Sequence, residues 1–115
     1  MHIDMSMDKA SERLVRVAKA LGDSTRLDLL RRIAAAGEIC CKDLVTLFPV
    51  SQATVSHHLK ILADAGLVAV RRQGQFGWYS LRAAAVAQHA ALLGKTLAPR
   101  PRRRTASRSR MSRST

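Results

Sequence analysis

Residues 51–66 read SQATVSHHLKILADAG, and this stretch decides how the rest of the chain is interpreted. Ser51 is a good N-cap and Gly66 is a typical helix stop, so the segment predicts a helix. Val55, Leu59 and Leu62 recur at helical spacing and define its inner face. The first turn and the opposite face carry small or polar side chains. These residues are Gln52, Ala53, Thr54, Ser56, His57 and Lys60.

These six residues include no large apolar side chain and no acid. Small residues permit close approach, and amide, hydroxyl, imidazole and ammonium groups contact base edges and phosphates in the major groove of DNA. Together with Ser51, these residues predict a DNA-reading helix, and a solvated surface without a role is the alternative. His58 lies beside the inner face. There a packing histidine whose tip reaches a backbone group or a phosphate is favoured over a metal ligand.

Upstream of this segment the pattern predicts three further helices. The first covers residues 8–21, and the second runs from a cap at Asp23 to a stop at Gly37. A short third helix fits 41–48, and Pro49 ends it because proline disfavours helix at the residue before it. Its expected inward residues are Leu44, Val45 and Leu47. A short helix, a tight turn and a longer helix are typical of a helix-turn-helix.

Downstream, LVAVRR (67–72) combines apolar and basic side chains and reads as a half-buried strand, and WYSL (78–81) reads as a returning strand. The glycine-containing segment between them predicts the turn of a β-hairpin. Four residues at this hairpin can lie along phosphates or enter the minor groove: Arg71, Arg72, Gln73 and Gln75. An alanine-rich fifth helix follows at 82–97. The expected fold is mostly α with a β-hairpin wing (α+β), a winged helix-turn-helix with five helices.

Charge and composition divide the 115 residues into three parts. Residues 1–8 are expected to be a flexible N-terminus, 9–97 the DNA-binding domain, and 98–115 a disordered Arg/Ser-rich tail with seven arginines and no acid. The net charge of +12 favours a nucleic-acid partner. No apolar run reaches the ~20 residues of a membrane helix. The chain is therefore expected to be cytoplasmic, without a membrane partner.

Three segments together resemble the ArsR/SmtB family of bacterial winged-helix repressors. They are ALGDSTRLDLLRRI (20–33), SQATVSHHLKILADAGLV (51–68) and the strand ending WYSL. The resemblance implies a homodimer joined by the first and last helices, bound to an operator palindrome in double-stranded DNA and released by an inducer. It also implies a nucleoid-associated protein. The reading helix would be residues 51–65 and the wing residues 71–78.

Both cysteines of the chain lie in EICCKDL (38–44), at the start of the third helix. The family's metalloid sensors carry a Cys-x-Cys pattern there, so Cys40 matches the first cysteine while Lys42 stands in place of the second. Trivalent arsenic and soft metals need at least two convergent thiolates. Three interpretations remain open: Cys40 and Cys41 pack as small hydrophobes, bind a soft metal or As(III), or form a redox switch.

The leading prediction is a sequence-specific, DNA-binding transcriptional repressor. A non-inducible or redox-responsive regulator of the same fold is one alternative, and a winged-helix module for protein contacts without DNA reading is another. No nucleophile–base pair, phosphate-cradling glycine loop or carboxylate pair stands out, so an enzyme is not expected. No cofactor is predicted beyond the metal or metalloid that the two cysteines could bind.

Overall fold

The computed structural model describes residues 5–99 and 101, with side chains placed from residue 9 onward. This part of the chain contains five helices and three strands. The helices are α1 (Met5–Leu21), α2 (Ser24–Ala36), α3 (Cys41–Thr46), α4 (Gln52–Asp64) and α5 (Ala83–Leu97). The strands are β1 (Glu38–Cys40), β2 (Val68–Gln73) and β3 (Phe76–Leu81). The arginine-rich segment beyond residue 101 lies outside the described residues, as does the N-terminal segment before residue 5.

The expected capping residues begin and end the central helices. The Asp23 carboxylate accepts a hydrogen bond from the backbone N–H of Arg26 at 3.0 Å and caps α2. Gly37 adopts a φ of 81° at the other end, where its N–H donates to the carbonyl of Ile33. Ser51 caps α4, because its hydroxyl accepts from the N–H of Thr54 at 3.1 Å. Local side-chain chemistry therefore fixes the position of the reading helix along the chain.

The short helix α3 ends two residues before the expected boundary. It stops at Thr46, whose hydroxyl donates to the carbonyl of Asp43 at 2.7 Å. The prediction that Leu47 points inward is wrong, because its side chain is exposed while Leu44 is fully buried. Leu47 follows the last helical residue, so the α3 periodicity no longer sets its direction.

A third strand joins the predicted hairpin. β1 pairs antiparallel with β3, and β3 pairs antiparallel with β2, which gives the strand order β1-β3-β2. Gly74 supplies a φ of 61° in the two-residue turn between β2 and β3. In this register Cys40 lies opposite Trp78, and Arg71 lies opposite Trp78 from the other side. The segment that contains the first cysteine is therefore physically part of the wing.

The core lies between α2, α3, α4 and the strand that follows α4. Its fully buried side chains are Leu29, Ile33, Leu44, Val55, Leu59, Leu62 and Leu67. Each such side chain contributes about 1.5–3 kcal/mol on burial. α1 adds Val17 and Ala20, whereas α5 has no fully buried residue. The inner face of α4 is thus anchored as expected, while α5 packs on the outside of the domain.

None of the described helices has both the length and the apolar character needed to cross a bilayer.

Candidate nucleic-acid interface

The outer face of α4 is open to solvent. All the residues predicted to read DNA from this helix and its cap, except His58, are exposed: Ser51, Gln52, Ala53, Thr54, Ser56, His57 and Lys60. The Ser51 hydroxyl also donates to the hydroxyl of Thr54 at 3.0 Å. The Lys60 ammonium donates to the Asp64 carboxylate at 3.3 Å in a pair that is largely exposed. Such pairs are worth little, so Lys60 can exchange this partner for a phosphate.

His58 does not share the exposed face. Its side chain is 15% exposed, and its Nδ1 atom lies 3.3 Å from Nη1 of Arg26 and 3.8 Å from the Asp23 carboxylate. A guanidinium only donates, so Nδ1 of His58 is the acceptor in its contact with Arg26. The structure places this ring at the junction of α1 and α2, the packing position that its sequence context favoured.

The tip of the wing presents Arg72, Gln73 and Gln75 to solvent. Arg71 is exposed as well, but its guanidinium is already engaged. It donates two hydrogen bonds to the Glu38 carboxylate, at 2.9 and 3.1 Å, and lies 5.6 Å from the centre of the Trp78 ring. The hydrogen bond from Arg71 lowers the pKa of Glu38, and the same bond raises the pKa of Arg71. Glu38 therefore competes with phosphates for this arginine.

The two adjacent aromatic residues of β3 face opposite sides of the sheet. Trp78 lies beneath Arg71, and Tyr79 packs against the hydrophobic core; both are half-buried. Burial raises the pKa of the Tyr79 phenol, and the nearby Cys41 thiol acts in the same direction. These contacts give both rings a structural role.

Known proteins match both the sequence and this geometry. The model of a helix-turn-helix domain family matches residues 21–71. An arsenical resistance operon repressor of Staphylococcus aureus is 44% identical over 68 residues, which cover 59% of this chain and 64% of that protein. A repressor of the same name from Bacillus subtilis is 37% identical over 79 residues, which cover 65% of this chain and 75% of that protein. The chain belongs to the ArsR/SmtB family.

Solved structures of ArsR/SmtB proteins share the fold. The homodimeric winged helix-turn-helix domain Mb0332 of Mycobacterium bovis, a possible ArsR-family regulator, superimposes with a TM-score of 0.67 at 25% identity. The superposition covers 84% of this chain and 89% of that domain. ArsR/SmtB proteins are DNA-binding transcriptional repressors and not enzymes. The winged helix-turn-helix and the absence of a catalytic role predicted from the sequence are thereby confirmed. The chain spans slightly less than two thirds of the S. aureus repressor.

The two thiols of this ArsR/SmtB protein belong to different elements. Cys40 is the last residue of β1 and is buried at the strand position opposite Trp78. Cys41 is the first residue of α3 and is half-buried against the hydrophobic core. Within the part of the chain that the structure describes, no group of three or more His, Cys, Asp or Glu side chains could hold a metal ion.

Sequence reasoning missed three residues that hold the interface in place. Asp23 was expected only as a cap, and Arg26 and Glu38 were assigned no role. Arg26 and Asp23 contact His58 behind the reading helix, and Glu38 holds Arg71 at the wing. The opposite charges of Glu38 and Arg71 were visible in the sequence. Their pairing became apparent only with β1 in the sheet.

Proposed function

We propose that this chain is a homodimeric repressor that binds an operator palindrome through α4 and the wing. The exposed face of α4 supports the proposal. It offers hydrogen-bonding groups and small residues, and the only acid of the helix, Asp64, lies in its last turn and is paired with Lys60. A helix whose polar face carries no unpaired acid can enter the major groove without repelling phosphates.

In this proposal, different residues of α4 and the wing make different contacts with DNA. Gln52 stands at the N-terminal end of α4, where an amide can pair with an adenine edge, and Ala53 allows the helix to approach the groove floor. Ser56 and His57 face the same groove. Lys60 and Arg72 bind phosphates, which fixes the position of the helix without specifying sequence. Ser51, Thr54, Gln73 and Gln75 complete the polar surface.

Self-association is supported by exposed apolar side chains on the two terminal helices. Val15 of α1 and Val86, Leu93 and Leu97 of α5 are all exposed in the isolated protomer. α1 and α5 are in contact with each other, which allows both helices to contribute to one interface. The Mb0332 domain, with the same fold, is homodimeric. A dimer through α1 and α5 would present two reading helices to half-sites about 34 Å apart.

The test compares two substitutions on a promoter fragment from the chain's own gene. Fluorescence anisotropy should show that Gln52→Ala reduces the preference for that fragment over random DNA by about 1–3 kcal/mol. Arg72→Gln should weaken binding to both DNAs alike and reduce the salt slope by about one. Equal affinity of the unmodified protein for promoter and random DNA would instead favour the protein-interaction module.

We further propose a thiol-dependent inducer, a soft metal or As(III), acting at Cys40 and Cys41. The names of the relatives support this proposal, because those proteins are arsenical resistance repressors. An ion bound by both sulfurs would join the end of β1 to the start of α3, because Cys40 belongs to the sheet and Cys41 is the first residue of α3. Such a bridge would also act on α3, which packs on the reading helix.

The inducer is tested on the protein–operator complex with arsenite, Cd(II), Zn(II) and peroxide. Release by arsenite or Cd(II) that is lost in the variant Cys40→Ser, Cys41→Ser supports the metalloid proposal. Release by peroxide alone would identify the redox alternative. If the unmodified protein stays bound in every case, the two cysteines only pack, and the repressor is not induced through them.

A further inference from the structure

A cleft of about 700 Å³ separates α1, the C-terminal end of α4 and the beginning of α5. None of its lining residues belongs to the DNA-reading face or to the cysteine pair. Its volume falls within the range of about 300–1,000 Å³ that is typical of small-molecule sites. The proposed repressor function therefore leaves this cavity without a role.

Three arginines line the cleft. Arg13 and Arg16 lie one turn apart on α1, and Arg82 lies directly before α5. Among the described residues, no carboxylate forms a salt bridge with any of the three. The only carboxylate in the lining is Asp64, and Lys60 pairs with it at 3.3 Å. The cleft thus carries an excess of positive charge with no partner in the described chain.

The interior of the cleft combines apolar walls with one buried nitrogen. Ala65, Ala85 and Leu92 are partly exposed and provide apolar surface. His89 also lines the cleft, and its Nδ1 atom is buried without a hydrogen-bond partner in the described structure. A bare inorganic anion would leave the apolar walls uncovered.

We propose that this cleft binds an organic acid, with its carboxylate on the arginines and its apolar body against Ala65, Ala85 and Leu92. Guanidinium groups form paired hydrogen bonds with carboxylates, which makes arginine well suited to this task. The negative end of α4 and the positive end of α5 both lie at the cleft, and their partial charges offset each other. The full positive charges of the three arginines therefore favour an anionic ligand.

The position of the cleft gives the ligand a regulatory route separate from the cysteines. Asp64, Ala65 and Gly66 belong to the end of the reading helix and the turn after it, whereas Arg16 belongs to α1. An occupant therefore bridges the reading helix to the helices proposed to form the dimer. Ligand binding itself is measured without DNA, so its outcome does not depend on the proposed operator function.

The experiment is isothermal titration calorimetry of the full chain with 2-naphthoate as the probe. Its neutral analogue 2-naphthamide tests the need for charge, and inorganic phosphate tests the need for the apolar body. We expect 2-naphthoate to bind at least tenfold more tightly than either. Arg16→Gln and Arg82→Gln, on opposite sides of the cleft, should each weaken binding about tenfold. Arg31→Gln, on the exposed surface of α2, is the matched control and should leave binding unchanged.

Three results would overturn the proposal. One is the absence of 2-naphthoate binding, and another is equal binding of 2-naphthamide. The third is an equal loss in Arg31→Gln and Arg16→Gln, which would show general charge attraction. Sedimentation velocity on the same variants separates ligand binding from dimer contacts. If Arg16→Gln dissociates the dimer while the unmodified protein fails to bind 2-naphthoate, the cleft belongs to the subunit interface instead.

Discussion

The Nη1 atom of Arg26 lies 3.3 Å from the Nδ1 atom of His58 and thereby ties the reading helix to the end of α1. The same guanidinium donates from Nε to the carbonyl of Ala20 at 2.6 Å and from Nη2 to the carbonyl of Lys19 at 2.9 Å. These carbonyls belong to the last turn of α1, where the carbonyl of Lys19 also accepts from the N–H of Gly22 at 3.2 Å. One side chain thus stabilises the end of a helix proposed for dimerisation and fixes the rear of α4.

Adjacent histidines on α4 provide a matched pair of substitutions. His58→Ala should reduce the free energy of unfolding by about 1 kcal/mol, because it removes the acceptor for Arg26 and the packing of a mostly buried ring. His57→Ala, at an exposed position, should change stability by less than about 0.5 kcal/mol and yet weaken operator binding. Urea denaturation measures the change in the free energy of unfolding, and fluorescence anisotropy measures the change in operator affinity. Equal stability losses in both variants would contradict the assigned placements.

Glu38 is expected to restrain the wing. Glu38→Gln removes the charge that holds Arg71, so the guanidinium becomes available to phosphates. DNA affinity should rise at low salt, and the slope of log K against log salt should steepen by about one. Anisotropy across a salt series measures this change. The control Asp43→Asn removes an exposed acid nearby that has no salt bridge in the described structure. If both variants raise affinity equally, net charge alone is responsible.

Substitutions at Leu62 and Leu93 distinguish the stability of the folded protomer from the stability of the proposed dimer. Leu62→Ala empties a fully buried core position and should destabilise the protomer by about 2–5 kcal/mol. Leu93 is exposed on α5, so Leu93→Ala should leave protomer folding nearly unchanged and weaken the proposed dimer by roughly 1–2 kcal/mol. Sedimentation velocity over a concentration series measures the dimer. A monomer–dimer equilibrium unchanged by Leu93→Ala would place the interface elsewhere.

The sequence predicted the helices well because their signals are local. Ser51, Asp23 and Gly37 carry cap chemistry within a few residues of each boundary, and the α4 stripe of Val55, Leu59 and Leu62 repeats at helical spacing. The exposed residues of α4 followed from the same periodicity. The wing was predictable for a similar reason, since two short strand-like segments and a glycine turn between them are short-range patterns.

The contacts that position the site could not be predicted in the same way. β1 has only three residues, too few to show alternation, and its pairing with β3 joins residues about forty positions apart. Without β1 there was no reason to pair Glu38 with Arg71, or to place Cys40 opposite Trp78. The Arg26–His58 contact is likewise long-range. It depends on how α2 and α4 cross, which the pattern of neither helix reveals.

The single tyrosine of the chain offers a direct test of the packing behind the wing. Burial raises the pKa of Tyr79 above its ordinary value of 10.0. Above pH 10 the unfolded chain therefore loses its phenolic proton first, and the unfolded state gains stability. The contribution of Tyr79 to stability is complete below pH 10 and is lost as the pH rises through the folded pKa. Tyr79→Phe should lose less stability than the unmodified protein between pH 9 and pH 11.

Absorbance at 295 nm follows the ionisation of Tyr79 alone, since no other phenol is present. The folded protein should titrate at a higher pH than the same protein in concentrated urea, where the phenol is solvated and its pKa returns to about 10. Lysines also lose protons in this range, which is why the comparison with Tyr79→Phe is needed for the stability measurement. Coincident titration curves in buffer and in urea would show that the ring is not packed against the core as the structure places it.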